Sequence, residues 1–355
     1  MNDILTARQQ AQLRIASYME PREIEAVARI KAMNAYHVGS VRDVELRKLY
    51  ERLFRNTQTE TAKLAGIVVM GNSGSGKTHL IRTMEAHPAF QRFRAPGNDY
   101  DTLPYISIDA PPKSAPNYLL AEIVKACGFP VAKPGNLAEM RDLAMKWFAL
   151  RGVMFLHIDE FQHAMRSNTE NQIKEIQDAM KALIQISADW PVQLILSGTP
   201  VIAGFRDTNP ELSGRTLPFD LESLDPVADG PVIEKVIHGI ITKHAQLEMA
   251  DLDDKEFVMR LSKAANNQFG NVIQTVRLAC EEVILAGGNQ VGMGDFAKVY
   301  SMLVGSRNME RNLFAAPAWR DVQLPDRIAN GRAFTALKKK REKTFTVRNK
   351  KLVEA

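Results

Sequence analysis

The sequence predicts an α/β fold, with a parallel sheet of five strands between layers of helix, a helical extension before it and a small helical domain after it. Two observations carry this. Between about residues 65 and 224, short apolar runs alternate with longer amphipathic stretches, as strands do when crossover helices join them in a parallel sheet. Before residue 60 and after residue 225 the apolar positions follow helical spacing instead.

Taken in order, residues 1–60 read as helix, with Pro21 after Glu20 breaking one segment and apolar positions at helical spacing over 22–33 and 44–54. The strand candidates are 66–70, 105–108, 153–158, 193–197 and 216–221. No strand is expected after about residue 225, where 232–247, 255–265, 272–286 and 294–303 carry helical periodicity. Beyond Gly305 that periodicity fades, and Pro317, Pro325 and Gly331 punctuate the route to a basic terminus. The expected divisions are therefore 1–60, 61–224, 225–305 and a flexible tail over 306–355.

Composition bounds the class. Of the 355 residues, 45% are apolar and 25% charged, as in an ordinary globular protein and unlike a disordered or fibrous one. The first thirty residues hold no signal-peptide core, and no apolar run approaches the ~20 residues of a membrane span, so a cytoplasmic protein is expected. Cys127 and Cys280 stand far apart with no CxxC or Cys/His cluster around them, which points to buried thiols rather than a staple or a zinc site. The net charge of +5 is unevenly placed: Arg320 to Ala355 holds 11 Lys+Arg against 4 Asp+Glu, and the rest of the chain 35 against 37. Lys338, Lys339, Lys340 and Arg341 can neutralise nucleic-acid phosphates, or form a solvated terminus.

The chemistry lies at two strand ends. Gly71, Asn72, Ser73, Gly74, Ser75, Gly76, Lys77 and Thr78 fit G-x-x-x-x-G-K-[ST] at every fixed position, between a strand and a helix. Glycines permit a tight loop whose N–H groups turn onto phosphate oxygens, and the following helix points its positive end at the same anion. Lys77 is expected to reach the β and γ phosphates of ATP, and the Thr78 hydroxyl to ligate Mg²⁺. The apolar run 153–158 ends in Asp159 and Glu160, a Walker B pattern. Asp159 is then expected beside Mg²⁺, and Glu160 to act as general base on the attacking water. The run 193–197 ends in Ser197, Gly198 and Thr199, and either Ser197 or Thr199 is expected to sense the γ-phosphate.

Absences narrow the class of P-loop protein. There is no [NT]KxD segment for guanine, and Leu212-Ser213-Gly214 follows the carboxylate pair, whereas the transporter-ATPase signature precedes it. Small-molecule kinases usually lack a glutamate after the metal-side aspartate. An ATPase with a P-loop αβα core, of the AAA+ type with a C-terminal helical lid, is the reading these residues favour.

Together with 71–78, 152–160 and 194–199, the segment 103–112 ending in Ala110-Pro111-Pro112 and the segment Asn209-Pro210-Glu211-Leu212 with Arg215 resemble the TniB family. These are AAA+ ATPases of transposons, related to TnsC and more distantly to the phage Mu protein MuB. The resemblance covers roughly residues 20 to 300. It implies that Arg215 projects toward the γ-phosphate of a neighbouring subunit, although Thr216 stands where the family's stretch has Phe. The lid's G-x-x-R element is altered, with Ile273 at the fourth place after Gly270, and Arg277 one turn later is the candidate substitute for contacting ATP.

The resemblance also implies an ATP-dependent homo-oligomer, ring or helical filament, on double-stranded DNA with little sequence preference. Such an assembly marks a target site, recruits or activates a transposase of the DDE integrase type, can answer to a target-selection factor, and is dismantled by hydrolysis. Lys113 is the candidate DNA contact on the ATPase domain. A AAA+ protein-remodelling or helicase-loading switch acting on a protein client shares every nucleotide-site residue, as does a slow sensor whose nucleotide state gates a partner.

Overall fold

The computed structural model describes residues 5–59, 63–112, 115–166, 168–185, 190–252 and 255–329. The chain forms two compact units, one spanning residues 39–223 and the other combining residues up to 38 with those from 224 onward.

In the first unit, β1 (Gly66–Gly71), β2 (Tyr105–Asp109), β3 (Phe155–Asp159), β4 (Gln193–Gly198) and β5 (Thr216–Leu221) form one sheet in the order β2-β3-β4-β1-β5, parallel at every pairing. All five lie where the apolar runs predict them. β1, β3 and β4 are buried along their whole length, which is why they read as continuous apolar runs rather than as alternation. Successive side chains still go to opposite faces. Val68, Leu156, Ile158, Leu194 and Leu196 join one core with Leu120, Ile123, Phe148 and Met180. Ile67, Val69, Phe155 and Ile195 join another with Leu46, Leu53, Leu80 and Ile81. Each large aliphatic side chain so buried contributes roughly 1.5–3 kcal/mol.

The strand order positions the site. β1 lies between β4 and β5, and the chain leaves it for β2 at the far edge, so the carboxyl end of β1 sits at a topological switch point, where α/β sheets open a crevice for ligands.

The expected extension over 1–60 is divided between the units. Helix Val41–Asn56 belongs to the first, because Asp43, Leu46, Tyr50 and Leu53 recur on one face and the three apolar ones pack onto the sheet's second core. Its start is pinned by Ser40 and Asp43, whose carboxylate accepts from the Ser40 N–H at 2.6 Å.

Helix Pro21–Ala35 instead buries Ala26 and Met33 in the core of the second unit. There they meet helices Gly230–His238, Lys255–Ala264, Phe269–Ala286 and Met293–Val304, the first continuing as a π-helical turn over Gly239–His244. Two expectations are corrected in this unit. The region after residue 225 does contain strand, since β6 (Glu248–Ala250) and β7 (Gln290–Gly292) pair in parallel; three residues are too few for a period-two pattern to register. The expected tail from 306 begins with ordered structure: Leu313, Phe314, Ala316, Trp319 and Ile328 are buried in the same core. Arg260 donates to the carbonyls of Leu313 and Ala316 at 2.6 and 3.1 Å, and the Trp319 Nε1–H donates to Glu256 at 2.8 Å. Single anchors spaced irregularly carry no periodicity, so only the tertiary contacts expose them. Among the described residues, no helix is long and apolar enough to cross a membrane.

Candidate nucleotide site

β1 feeds the glycine loop and helix Lys77–Glu85 follows it. Gly74 and Gly76 take φ of 84° and 98°, conformations that a Cβ disfavours, and the Ser75 N–H closes the loop onto the Asn72 carbonyl at 3.1 Å. Among the described residues no side-chain hydrogen bond caps the helix at Gly76, and a helix start of this kind suits an anion.

Lys77 is buried, and its Nζ donates to the carbonyl oxygens of Gly71 at 2.7 Å and Asn72 at 3.1 Å. Burial pushes its pKa below the ordinary lysine value, while the charges of Glu160 and Asp159 pull the other way. A desolvated ammonium held by neutral carbonyls is short of negative charge. The buried Ser75 Oγ has no hydrogen-bond partner among the described residues. Both features fit a polyphosphate.

Asp159 lies at the end of β3. Its Oδ1 accepts from the Ser197 hydroxyl at 2.5 Å and the Glu160 N–H at 2.8 Å. Its Oδ2 faces the Thr78 hydroxyl, which donates at 3.3 Å. Hydroxyl and carboxylate oxygens are the donors Mg²⁺ takes, so these two residues fit it.

Glu160 has φ of 52°, the left-handed region, which costs a residue with a Cβ roughly 1–2 kcal/mol. Its surroundings impose that geometry. Its own N–H is held by Asp159, and the next N–H, of Phe161, donates to the Ser197 carbonyl at 2.9 Å. The Glu160 carboxylate accepts from the Gln162 amide, with His163 Nε2 3.7 Å away. Gln162 is buried and its Oε1 accepts from the Thr199 N–H at 3.0 Å. A Cβ at Gly198 would come within 2.3 Å of that Oε1, so a side chain there would displace the amide from its place against Thr199.

The two sensor candidates differ in their contacts. Ser197 is bonded to Asp159, whereas the Thr199 Oγ1 is buried with no partner among the described residues. Arg215 ends helix Pro210–Arg215, half-buried, and its side chain has no hydrogen bond or ion pair among the described residues. By contrast Arg206 is fully engaged, on the carbonyls of Ser213 and Thr216 and on Asp207. Arg277 lies in the second unit, where its Nη2 donates to the Tyr36 carbonyl at 2.5 Å and burial lowers its pKa. The DNA candidates Lys113, Lys338, Lys339, Lys340 and Arg341 lie outside the described residues. Sequence reasoning missed Gln162 and the buried His157. The signal for His157 is a titratable side chain inside an otherwise apolar strand.

A glycine loop after the interior strand β1, a carboxylate pair two strands away at the end of β3 and the order β2-β3-β4-β1-β5 define the AAA+ class of P-loop proteins. Solved structures of that class are similar in fold. The Orc1 protein of Aeropyrum pernix in complex with DNA has a TM-score of 0.53 at 16% identity, over 77% of this chain and 67% of that one. Cdc6p of Pyrobaculum aerophilum has 0.52 at 13% identity, over 75% and 68%. The Orc2 protein of Aeropyrum pernix, in ADPNP and ADP complexes, has 0.50 at 13% identity, over 77% and 71%. A family profile described as bacterial TniB protein matches residues 37–225, just over half of the chain, and the chain belongs to that family. Comparison with curated proteins gives no match.

Proposed function

We propose that this protein is a cytoplasmic, Mg²⁺-dependent ATPase that assembles on duplex DNA and regulates transposition by recruiting or activating a DDE-type transposase. The observation that carries this reading is that the TniB match, residues 37–225, encloses every residue of the nucleotide site on the first unit. The complexes of the fold neighbours, Orc1 with DNA and Orc2 with ADPNP and ADP, favour it.

The chemistry follows from the residues. The loop amides of 71–78 and Lys77 bind and orient the β and γ phosphates of ATP. Thr78 and Asp159 hold Mg²⁺, which when bound neutralises phosphate charge. Glu160 takes a proton from the water attacking in line, and of the two sensor candidates Thr199, whose hydroxyl has no partner among the described residues, is the one left to meet the γ-phosphate, since Ser197 donates to Asp159. The helical second unit acts as the lid.

Arg215, unpaired among the described residues, stabilises the charge developing on the γ-phosphate of a neighbouring copy. Arg215→Ala is expected to bind ATP normally and to lose roughly 10²-fold in turnover. Mixing it with Glu160→Gln, which keeps its arginine, is expected to restore part of that rate. Full activity in Arg215→Ala alone, or no recovery on mixing, would remove the trans role.

The test of the whole reading is ATP turnover with and without duplex DNA at two salt concentrations, with electron microscopy of the same ATP-bound sample. We expect stimulation by DNA and ordered protein arrays along it. Binding through six or more phosphates weakens roughly 10³-fold between 50 and 200 mM salt, and the stimulation should fade with it. Turnover indifferent to DNA would leave an ATPase with a protein client.

A further inference from the structure

A chain of polar side chains runs through the core of the first unit behind the metal-side carboxylate. His157 sits inside β3 on the same face as Phe155, among the apolar residues of the second core, and is 2% exposed. Its Nε2 lies 2.8 Å from the Ser197 Oγ, and its Nδ1 lies 2.8 Å from the Ser107 Oγ of β2 and 3.4 Å from the Glu85 Oε1. The Tyr105 hydroxyl of β2 donates to that same Glu85 oxygen at 3.0 Å. Burial keeps the Tyr105 hydroxyl protonated, so it is a fixed donor. Glu85, whose carboxyl is held below its ordinary range first by its contact with His157, is the last residue of the helix that starts at Lys77.

Proton bookkeeping gives this chain a direction. Ser197 has one hydroxyl proton, and at 2.5 Å it is donated to Asp159 Oδ1. The Ser197 oxygen can then only accept from His157, so Nε2 carries a proton and Nδ1 faces Ser107 and Glu85. With Oδ1 saturated by Ser197 and the Glu160 N–H, Asp159 presents Oδ2 to Thr78. A buried polar chain of this kind is costly unless complete, and a complete one holds its members in a single arrangement.

We propose that His157, held by Ser107 and Glu85, is a positioning residue for the metal-binding carboxylate: it sets the Ser197 hydroxyl as a donor to Asp159 and thereby aims Oδ2 at the Mg²⁺ position beside Thr78. This rests on the nucleotide-site reading above and adds to it a second layer of residues, tied through Glu85 to the far end of the P-loop helix. Groups that orient metal ligands typically change metal affinity by 10–100-fold when removed.

The test compares two amides of different reach in the full-length protein. In His157→Gln the side-chain nitrogen can occupy the place of imidazole Nε2 and still donate to Ser197. In His157→Asn the shorter amide reaches only the Nδ1 position and leaves Ser197 without its donor. The probe is Mn²⁺, titrated by electron paramagnetic resonance against protein saturated with a non-hydrolysable ATP analogue, alongside binding of the same analogue in EDTA. We expect Mn²⁺ affinity to fall about tenfold or more in His157→Asn and to stay within about 1.5-fold of wild type in His157→Gln. Metal-free nucleotide affinity should be unchanged in both. Glu85→Gln, at a partly exposed position, supplies a milder variant should His157→Asn fail to fold, with an expected Mn²⁺ loss of about threefold. Wild-type Mn²⁺ affinity in both His157→Asn and Glu85→Gln would overturn the proposal. So would equal losses in the Asn and Gln variants accompanied by lost metal-free binding, which would mark a packing role alone. A wild-type protein that binds no Mn²⁺ with the analogue would instead overturn the reading of the site, and this inference with it.

Discussion

Lys77→Ala is expected to abolish useful ATP binding while leaving the unliganded fold intact. A charge-assisted hydrogen bond to phosphate contributes about 1.5–3 kcal/mol, or roughly 10–150-fold in affinity. Here the loss should lie toward the upper end, because Lys77 is already desolvated within the loop and little further dehydration opposes its contact with phosphate. The same fact protects the fold of the variant. A buried ammonium on neutral carbonyls is not a strong source of stability, and its removal gives back the cost of keeping it out of water. The measurement is thermal unfolding with and without nucleotide. ATP at ~100 times its Kd stabilises by about 2.7 kcal/mol, a rise of roughly 5–10 °C for a domain of this size. Wild type should show that rise, and Lys77→Ala should unfold near the unliganded wild-type temperature whether or not ATP is present. A full ATP-induced rise in the variant would refute the assignment of the loop.

Glu160→Gln is expected to separate binding from turnover. The substitution keeps the side chain's length, and its amide oxygen can still accept from Gln162, so the geometry at the end of β3 should persist. What is lost is the base. Proton abstraction by a positioned carboxylate typically supplies 10²–10⁴-fold, and the turnover number should fall by about that factor with ATP affinity within about twofold of wild type. Because assembly is proposed to depend on bound ATP, the variant should accumulate long-lived oligomers on DNA, visible by microscopy and slow to disperse in a chase with excess ADP. Wild-type turnover would show that another group activates the water. Unimpaired chemistry with altered affinity would assign Glu160 to binding alone.

Much of this protein was legible before any coordinates. The central strands β1, β3 and β4 announce themselves because burial on both faces demands unbroken apolar runs, and the glycine loop because tight phosphate binding requires glycines, lysine and a hydroxyl at fixed local spacing. Asp159 and Glu160 stand out for a similar reason, being adjacent charges where an apolar strand ends. Family membership is legible through the same local segments.

The sequence by itself determined the parallel α/β core and pointed to the candidate residues at two of its strand ends, since both are written in short-range pattern. Tertiary structure alone decided that helix Val41–Asn56 braces the sheet while Pro21–Ala35 joins the helical unit, because amphipathic helices look alike until the surface that receives their apolar face is known. It likewise decided that Leu313, Phe314 and Trp319 form core rather than tail. And it alone brought Glu85, Ser107, His157 and Ser197 into one hydrogen-bonded chain behind Asp159, since residues from three strands and a helix, up to 112 positions apart, can satisfy one another's protons only after the sheet has fixed their register.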